Sequence, residues 1–489
     1  MSVFDTPLFP LTMPESRGIG FHNIGTGVLR ASHAATIAKV ETHYGERCGH
    51  IPLTADRVSL LVNTHTDNLH SHVHYLSALF GKEIQPVTVA ELTMEQRRTP
   101  AVQTLIVPYV NVPEAETLIQ TTLQAQTWGL PAAMVDILKN KARFYQLLDE
   151  LALEDLHAPD YRIAALSALP ATALQFLQSI EELLKAADVP EYPRGIMVRA
   201  AESDGNYGSC LLYEQRRIVH VIYDGDAAHV HTYPSWQEAL AASQKHLYTT
   251  MDVQKEERVV ISRYLDMLDS PGLSVVILDG QVESLRWNGQ LQKEGSKACV
   301  GTSTFRPKTA QVARLQREYE DRMAERFETL LRLTALRCGI DFASIRGVAN
   351  IDIMLPGPLE ERLQQRLGYA PTHYIAESNP RWTNYTDAIL AVIGANRQIP
   401  TVQRMRQVIQ SGVLAVDKYE LPQGLDPRMV RSAIAARDDV LKQQGTRIIC
   451  RMAQSPMGVI FAGDVEMAQQ ELATIVHTLA NRETPVSLS

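Results

Sequence analysis

The feature that most limits the fold is a change in how strands are connected along the chain. Up to about residue 133, apolar runs that suit buried strands alternate with helical patterns. Residues 58–62 (VSLLV) precede a helical stretch over 68–80, and residues 104–110 (TLIVPYV) precede VPEAETLIQTTLQAQTW. A connection long enough to hold a helix lets successive strands run parallel, so this part predicts a small open α/β domain. Past Asn140 the connections shorten. SCLLY and IVHVIY flank EQRR, while LSVVIL and QVESLRW flank Asp279-Gly280, a two-residue hairpin signal. Strands joined so tightly run antiparallel, so the chain needs two kinds of sheet.

The order after Asn140 is regular. NKARFYQLLDELAL over 140–153 carries Phe144, Leu147, Leu148 and Leu151 at helical spacing. Helical sequence continues to Pro193, strands follow, and residues 310–338 form one long helix. Two more strands are predicted at VANIDIML and THYIAES. From about residue 400, TVQRMRQVIQSGV reads as a helix, TRIICRMA and GVIFAG as strands, and VEMAQQELATIVHTLA as a last helix. A chain of 489 residues is long enough for roughly three domains. The changes of pattern divide it into 1–133, 134–398 and 399–489, with two lobes in the middle part at about 145–268 and 269–398.

Composition excludes several classes. The formal charge is −8 with signs mixed and no strong basic tract, which argues against nucleic acid. The first residues lack a secretory pattern, and no apolar stretch approaches the ~20 residues of a membrane helix. Cys48, Cys210, Cys299, Cys338 and Cys450 are few and scattered, as expected of reduced thiols in a cytoplasmic protein. His65, His70, His72 and His74 crowd together without an acid or cysteine in a metal-binding pattern, and read as a polar helix face.

Four elements carry chemistry. Asn350, Asp352 and Met354 share one face of a strand, and Glu377 and Asn379 share one face of the next. If these strands pair, two carboxylates and an amide oxygen converge as a hard-oxygen set for Mg²⁺ bridging nucleotide phosphates. Arg381 follows, where a guanidinium can fork onto a phosphoryl oxygen. Taken alone, ESNPR fits a solvated strand end better. The second element is GIMVRAAESDGNYG, in which Arg199 precedes a loop holding Gly205 and Gly208. Small residues there let backbone N–H groups approach phosphates; a plain surface hairpin reads the same way. The third is Lys141 at the start of a helix, where an exposed lysine is the ordinary reading. The fourth is ERVVISRYLDM, a strand whose edge suits adenine and whose acids, Asp266 or Asp269, suit ribose.

Taken in order, Lys141, Arg199 with its loop, Ser262-Arg263-Tyr264, Asp352 and Glu377-Ser378-Asn379-Pro380-Arg381 resemble the ATP-grasp superfamily over about residues 135–395. The first ~130 residues resemble the domain that precedes it. The resemblance implies two α+β lobes clasping ATP, with one or two Mg²⁺ ions for which Mn²⁺ can substitute. It implies phosphate contacts from Lys141 and Arg199, adenine at Ser262, Arg263 and Tyr264, and metal ligands at Asp352, Glu377 and Asn379. There are departures: Arg199 stands where lysine is usual, Ser262-Arg263 where the hinge often has glutamate, and Asn350 where many members have arginine. Arg286 or Arg381 is then left to stabilise a developing oxyanion. Arg286, with the loop 288–304, is expected to face the acid substrate. SLRWNGQLQKEGSKACVGTSTFRP and AESNPRWTN are most similar to stand-alone bacterial peptide ligases. The implied reaction is ATP-dependent joining of a small carboxylate to an amine through an acyl phosphate. A small-molecule kinase and a non-catalytic nucleotide-binding regulator remain as alternatives, and a homodimer is open.

Overall fold

A computed structural model describes residues 3–11, 15–23, 47, 49–99, 102–203, 208–226, 228–250, 253–292, 299–369, 373–452 and 456–482. The N-terminal part holds β1 (Arg17–Phe21), β2 (Arg57–Leu61), β3 (Ile84–Val87), β4 (Thr104–Pro108) and β5 (Gln126–Thr127). They pair in the order β3-β2-β1-β4-β5, all parallel. The order reverses between β1 and β4. Helices Asp67–Phe80 and Val89–Arg98 follow β2 and β3, each started by a threonine side chain that accepts a backbone N–H.

A second sheet is antiparallel throughout: β6 (Tyr161–Ala165), β7 (Gly195–Ala200), β8 (Ser209–Gln215), β9 (Ile218–Tyr223), β10 (Val230–Tyr233) and β11 (Arg258–Arg263). Their order is β10-β9-β8-β7-β11-β6. The turn between β8 and β9 puts Arg216 and Arg217 at positive φ, 52° and 66°, the backbone shape that matches strand twist. Helices Leu169–Ala187 and Trp236–Thr250 cover one face, and Phe176, Leu177, Ile196, Val198, Leu212 and Leu240 fill the core between.

The third sheet takes β12 (Met267–Asp269), β13 (Gly272–Leu278), β14 (Gln281–Gln292), β15 (Cys299–Thr304), β16 (Gly347–Pro356), β17 (Tyr374–Asn379), β18 (Val413–Tyr419), β19 (Arg447–Met452) and β20 (Met457–Ala462). They run β12-β16-β13-β14-β15-β18-β20-β19, with β17 also on β16. Asp279 and Gly280 make the tight turn with φ of 50° and 74°. The long helix Ala310–Arg337 lays Leu315, Met323, Phe327, Leu330 and Leu331 into the core. The pairing of β15 with β18 carries this sheet across the boundary drawn at residue 398. Strand β18 and helix Pro427–Leu441 have no counterpart in the sequence reading. Asp417-Lys418 interrupts the apolar run VLAV, and the fold accepts the charge because Arg451 pairs with Asp417 at 3.2 Å. Among the described residues no helix is long and apolar enough to cross a membrane.

Candidate active site

The site is organised by the pairing of β16 with β17. Asn350 lies opposite Asn379 and Asp352 opposite Glu377, so all four share one face. The register slips after Asp352, which leaves Ala376 as an extra residue on β17. Such a bulge re-aims side chains and frees a backbone group. Here the freed Ala376 carbonyl accepts from the Tyr145 hydroxyl at 2.8 Å and from Arg199 Nη2 at 3.2 Å. Arg199 Nη2 also donates to Tyr145 Oη at 2.5 Å.

Two cations reach the carboxylates from outside this sheet. Lys141 opens the helix Lys141–Leu151, whose start is fixed by Asn140: its side-chain oxygen accepts from the N–H groups of Ala142 and Arg143, both at 3.1 Å. Lys141 is only 4% exposed, unlike an ordinary lysine. Its Nζ donates to Ser203 O and stands 3.2 Å from Glu377 Oε2. Arg199 on β7 brings Nη1 to 3.7 Å from the same oxygen. Helix, second sheet and third sheet thus meet at Glu377.

Asp352 is held between amides. Asn350 Nδ2 donates to its Oδ1 at 2.8 Å and Asn379 Nδ2 to its Oδ2 at 3.0 Å. Asn350 Oδ1 in turn accepts from Ser274 Oγ at 3.0 Å and Asn288 Nδ2 at 3.2 Å. Burial and the neighbouring Glu377 carboxylate push Asp352 up to about 7. Two facing carboxylates, one of them raised this far, form a donor set that a hard divalent cation relieves, so the residues fit Mg²⁺. The third expected donor is Asn379, whose Oδ1 accepts from Arg381 Nη2 at 2.8 Å while its NH₂ group faces Asp352. Its amide has to turn to offer oxygen to a metal. Among the described residues no three His, Cys, Asp or Glu side chains gather as a metal cluster, so this set is two carboxylates and an amide.

The remaining sequence candidates divide. Arg381 belongs to the cluster and also donates to Tyr109 Oη at 3.1 Å. Gly208, at φ +71°, ends the loop after β7, and its N–H donates to Asp224 Oδ1 at 2.8 Å. Gly205 lies outside the described residues. The expected loop 288–304 is largely a hairpin: residues 288–292 and 299–304 pair as parts of β14 and β15, and 293–298 lie outside the described residues. Ser262 sits inside the second sheet, opposite Met197 on one side and Tyr161 on the other. The N–H of Arg263 goes to Asp160 O and that of Tyr264 to Gly195 O, both at 2.9 Å. The expected open strand edge at Ser262–Tyr264 is therefore closed, because β11 is flanked by β7 and β6. Arg263 turns its guanidinium to Glu360, with Nη1–Oε2 and Nη2–Oε1 both at 2.8 Å in the interior. Asp266 Oδ2 accepts from Leu359 N at 2.9 Å, which caps the helix Pro358–Arg366. Asp269 Oδ1 accepts from Ser270 N at 2.9 Å and lies 3.9 Å from Lys308.

Arg286 is not brought to the carboxylates. A bulge sets Ser274 against two residues of β14, and Arg286 takes φ +68° there. Its side chain, 55% exposed, pairs with Asp321 and, at 3.4 Å, Glu320 on the long helix. Strict alternation along QVESLRW fails at the bulge. Glu283, on the same strand, pairs with Arg406. Sequence reasoning also passed over Tyr145, Tyr109 and the Ser274–Asn288–Asn350 relay. Asn350 alone gave a signal, by standing where an arginine is usual.

No protein-family model matches the sequence, and no curated protein matches it. Solved structures do match. One is N5-carboxyaminoimidazole synthase from Aspergillus clavatus in complex with ADP and 5-aminoimidazole ribonucleotide, with a TM-score of 0.50 and 11% identity. That match covers 96% of this chain and 100% of that one. N5-carboxyaminoimidazole ribonucleotide synthetase from Thermus thermophilus matches at TM-score 0.48 and 12% identity, over 94% of this chain and 98% of that one. Biotin carboxylase from Campylobacter jejuni matches at 0.48 and 11%, over 94% and 90%. The fold of this chain is thus the mixed α/β, ATP-grasp architecture.

Proposed function

We propose, starting from this ATP-grasp fold, that the chain is an ATP-dependent ligase that activates a carboxylate as an acyl phosphate and joins it to an amine. The observation that carries the reading is the meeting of Lys141, Arg199, Asp352 and Glu377, delivered by four elements, the helix Lys141–Leu151, β7, β16 and β17. A carboxylate is a poor electrophile at neutral pH, and a γ-phosphoryl group transferred to it makes a good leaving group. The protein has to position the reactants and neutralise charge. Lys141 and Arg199 neutralise phosphate oxygens. Asp352, Glu377 and Asn379 would hold Mg²⁺, which supplies charge neutralisation between phosphates. Arg381, fixed by Asn379 and Tyr109, presents its fork to the transferred phosphoryl group or the substrate carboxylate.

In this reading residues 1–133 form the preceding domain, 134–398 the clasping lobes and 399–489 a C-terminal module whose strands extend the third sheet. Adenine and ribose are assigned to the region following β11. The substrates are amino acids or small peptides, as in the stand-alone peptide ligases that AESNPRWTN resembles. Among the described residues four cysteines are free thiols, in keeping with a cytoplasmic setting. The test is a phosphate-release screen with Mg-ATP and the twenty protein amino acids, singly and in pairs. Release that needs both an acid and an amine, with an amide product, supports the ligase. Release with one compound and a stable phosphorylated product makes the chain a kinase, and no release with any pair removes the amino-acid assignment.

A further inference from the structure

The helix Lys141–Leu151 brings a second polar side chain to the site besides Lys141. Tyr145 stands one turn on, at i+4, so the two leave the same face of the helix. Lys141 reaches Glu377, while Tyr145 reaches the guanidinium of Arg199. Tyr145 has no exposed surface. Its ring meets that of Tyr161 edge-on at 5.0 Å, and the Tyr161 hydroxyl donates to Asp149 Oδ2 at 2.6 Å. A ring packed this closely keeps one rotamer, so its hydroxyl sits at a set point.

The hydrogen bonds around that hydroxyl run in one direction. The Ala376 carbonyl can only accept, so the Tyr145 proton goes to it at 2.8 Å. The phenol oxygen keeps its lone pairs, and Arg199 Nη2 donates to it at 2.5 Å. The same Nη2 donates to Ala376 O at 3.2 Å, so the three groups are mutually bonded. Ala376 is free to accept because the bulge after Asp352 takes it out of the ladder. Burial raises the Tyr145 hydroxyl above its ordinary value, which keeps its proton in place at neutral pH. The Arg199 guanidinium carbon lies 5.6 Å from the centre of the same ring, within cation–π range.

This tether occupies Nη2 alone. Nη1 stands 3.7 Å from Glu377 Oε2, beside the carboxylates. A long side chain loses rotamer freedom when it is ordered by a ligand, and one that is already held loses less. A lysine in the same place has a single nitrogen, so it has no second nitrogen to offer a phosphate while the first answers Tyr145 and Ala376.

We propose that Tyr145 is a positioning residue for ATP: with the Ala376 carbonyl it holds Arg199 ready to meet a phosphate, so that one helix supplies the first phosphate cation and aims the second. This rests on the reading above that Arg199 neutralises a phosphate oxygen. It also accounts for arginine at position 199, since the bulge and the phenol together are built round a fork.

The test is a double-mutant cycle, read by calorimetric titration with a non-hydrolysable ATP analogue and Mg²⁺. Tyr145→Phe keeps the ring and nearly all the volume, and should weaken binding by about tenfold, the scale of one lost hydrogen bond to a charged group. In an Arg199→Met background the same change should weaken binding by less than about twofold, because no guanidinium is left to aim. Equal weakening in both backgrounds marks a merely structural tyrosine and overturns the proposal, as does unchanged binding by Tyr145→Phe alone. Wild-type protein that binds no analogue, or Arg199→Met that binds it as wild type does, instead sinks the phosphate reading underneath. If Tyr145→Phe does not fold, Arg199→Lys puts the same question with the charge kept and the fork removed. It should bind about tenfold more weakly, and wild-type affinity there refutes the tether.

Discussion

Lys141 Nζ stands 3.2 Å from Glu377 Oε2, so the cation assigned to phosphate is paired with a carboxylate assigned to metal. Phosphate would draw Lys141 and Mg²⁺ would draw Glu377, so each would trade the other for a partner of greater charge. Lys141→Met should therefore weaken ATP binding and lower kcat/KM by about 100-fold, in the range for a single lost charge-stabilising donor. Calorimetric titration with a non-hydrolysable ATP analogue, beside steady-state phosphate release, reads both. Unchanged affinity and rate would remove Lys141 from the site.

Glu377→Gln keeps volume and removes charge. Turnover should drop by about 100-fold or more, while the melting temperature stays within a few degrees because β16 and β17 still pair through their backbones. A variant with near-normal phosphate release at saturating Mg²⁺ would refute the metal assignment.

Arg286→Ala now carries the opposite expectation from the one its sequence position suggests. Its partners are Asp321 and Glu320, and it is half-exposed, so the pair stabilises the fold by about 0–1 kcal/mol. The kinetic constants for ATP and acid should match wild type. A selective rise in the KM of the acid would return Arg286 to the substrate side.

Glu360 takes two hydrogen bonds from Arg263 and one from Tyr374 in the interior, where Arg263 is also 2.9 Å from Asp160. Glu360→Gln leaves a buried guanidinium short of its main counter-charge. We expect a loss of about 3–5 kcal/mol, the usual scale for breaking a buried pair from one side, read by urea unfolding. A loss under about 1 kcal/mol would mean that Asp160 and solvent already suffice.

Histidine burial sets an acid sensitivity. His22 and His373 are held below the ordinary value of 6.5, chiefly by burial. The unfolded chain then binds more protons than the folded one as pH drops below 6.5, so stability falls in that window and recovers as pH rises through it. Asp387 acts separately and lower: its depressed carboxyl begins to cost stability only below the ordinary aspartate value of 3.8. Asp352, raised to about 7, takes up a proton in the same window and works the other way, so the histidines are read in Asp352→Asn: its urea unfolding at pH 7.5 and pH 5.5 should give the lower free energy at pH 5.5. Equal or reversed values would contradict the burial of neutral imidazoles.

Local chemistry made much of this legible. Asp279-Gly280 announces its turn because few residue pairs adopt positive φ twice, and Asp352 with Glu377 needs only two strands to pair. Arg286 was misplaced because a bulge is an interruption of alternation, and alternation is what a strand reading assumes. Lys141 looks like any lysine until tertiary packing buries it. Arg263 reads as a departure from the hinge pattern, and its reason, Glu360, lies 97 residues away. Tyr109, His22 and His50 meet in the interior beside the point where strand order reverses, which no local pattern states.

The ladder between β15 and β18 has a practical meaning for dissecting the protein. Gly301, Thr302 and Ser303 pair with Val416, Ala415 and Leu414. Cutting the chain at residue 398 would strip β15 of its neighbour and leave a row of unanswered backbone groups beside newly bared apolar side chains. An open edge of that kind recruits other chains. The part before residue 398 without this tail is therefore an aggregation hazard, and the tail is as much a part of its solubility as of its shape.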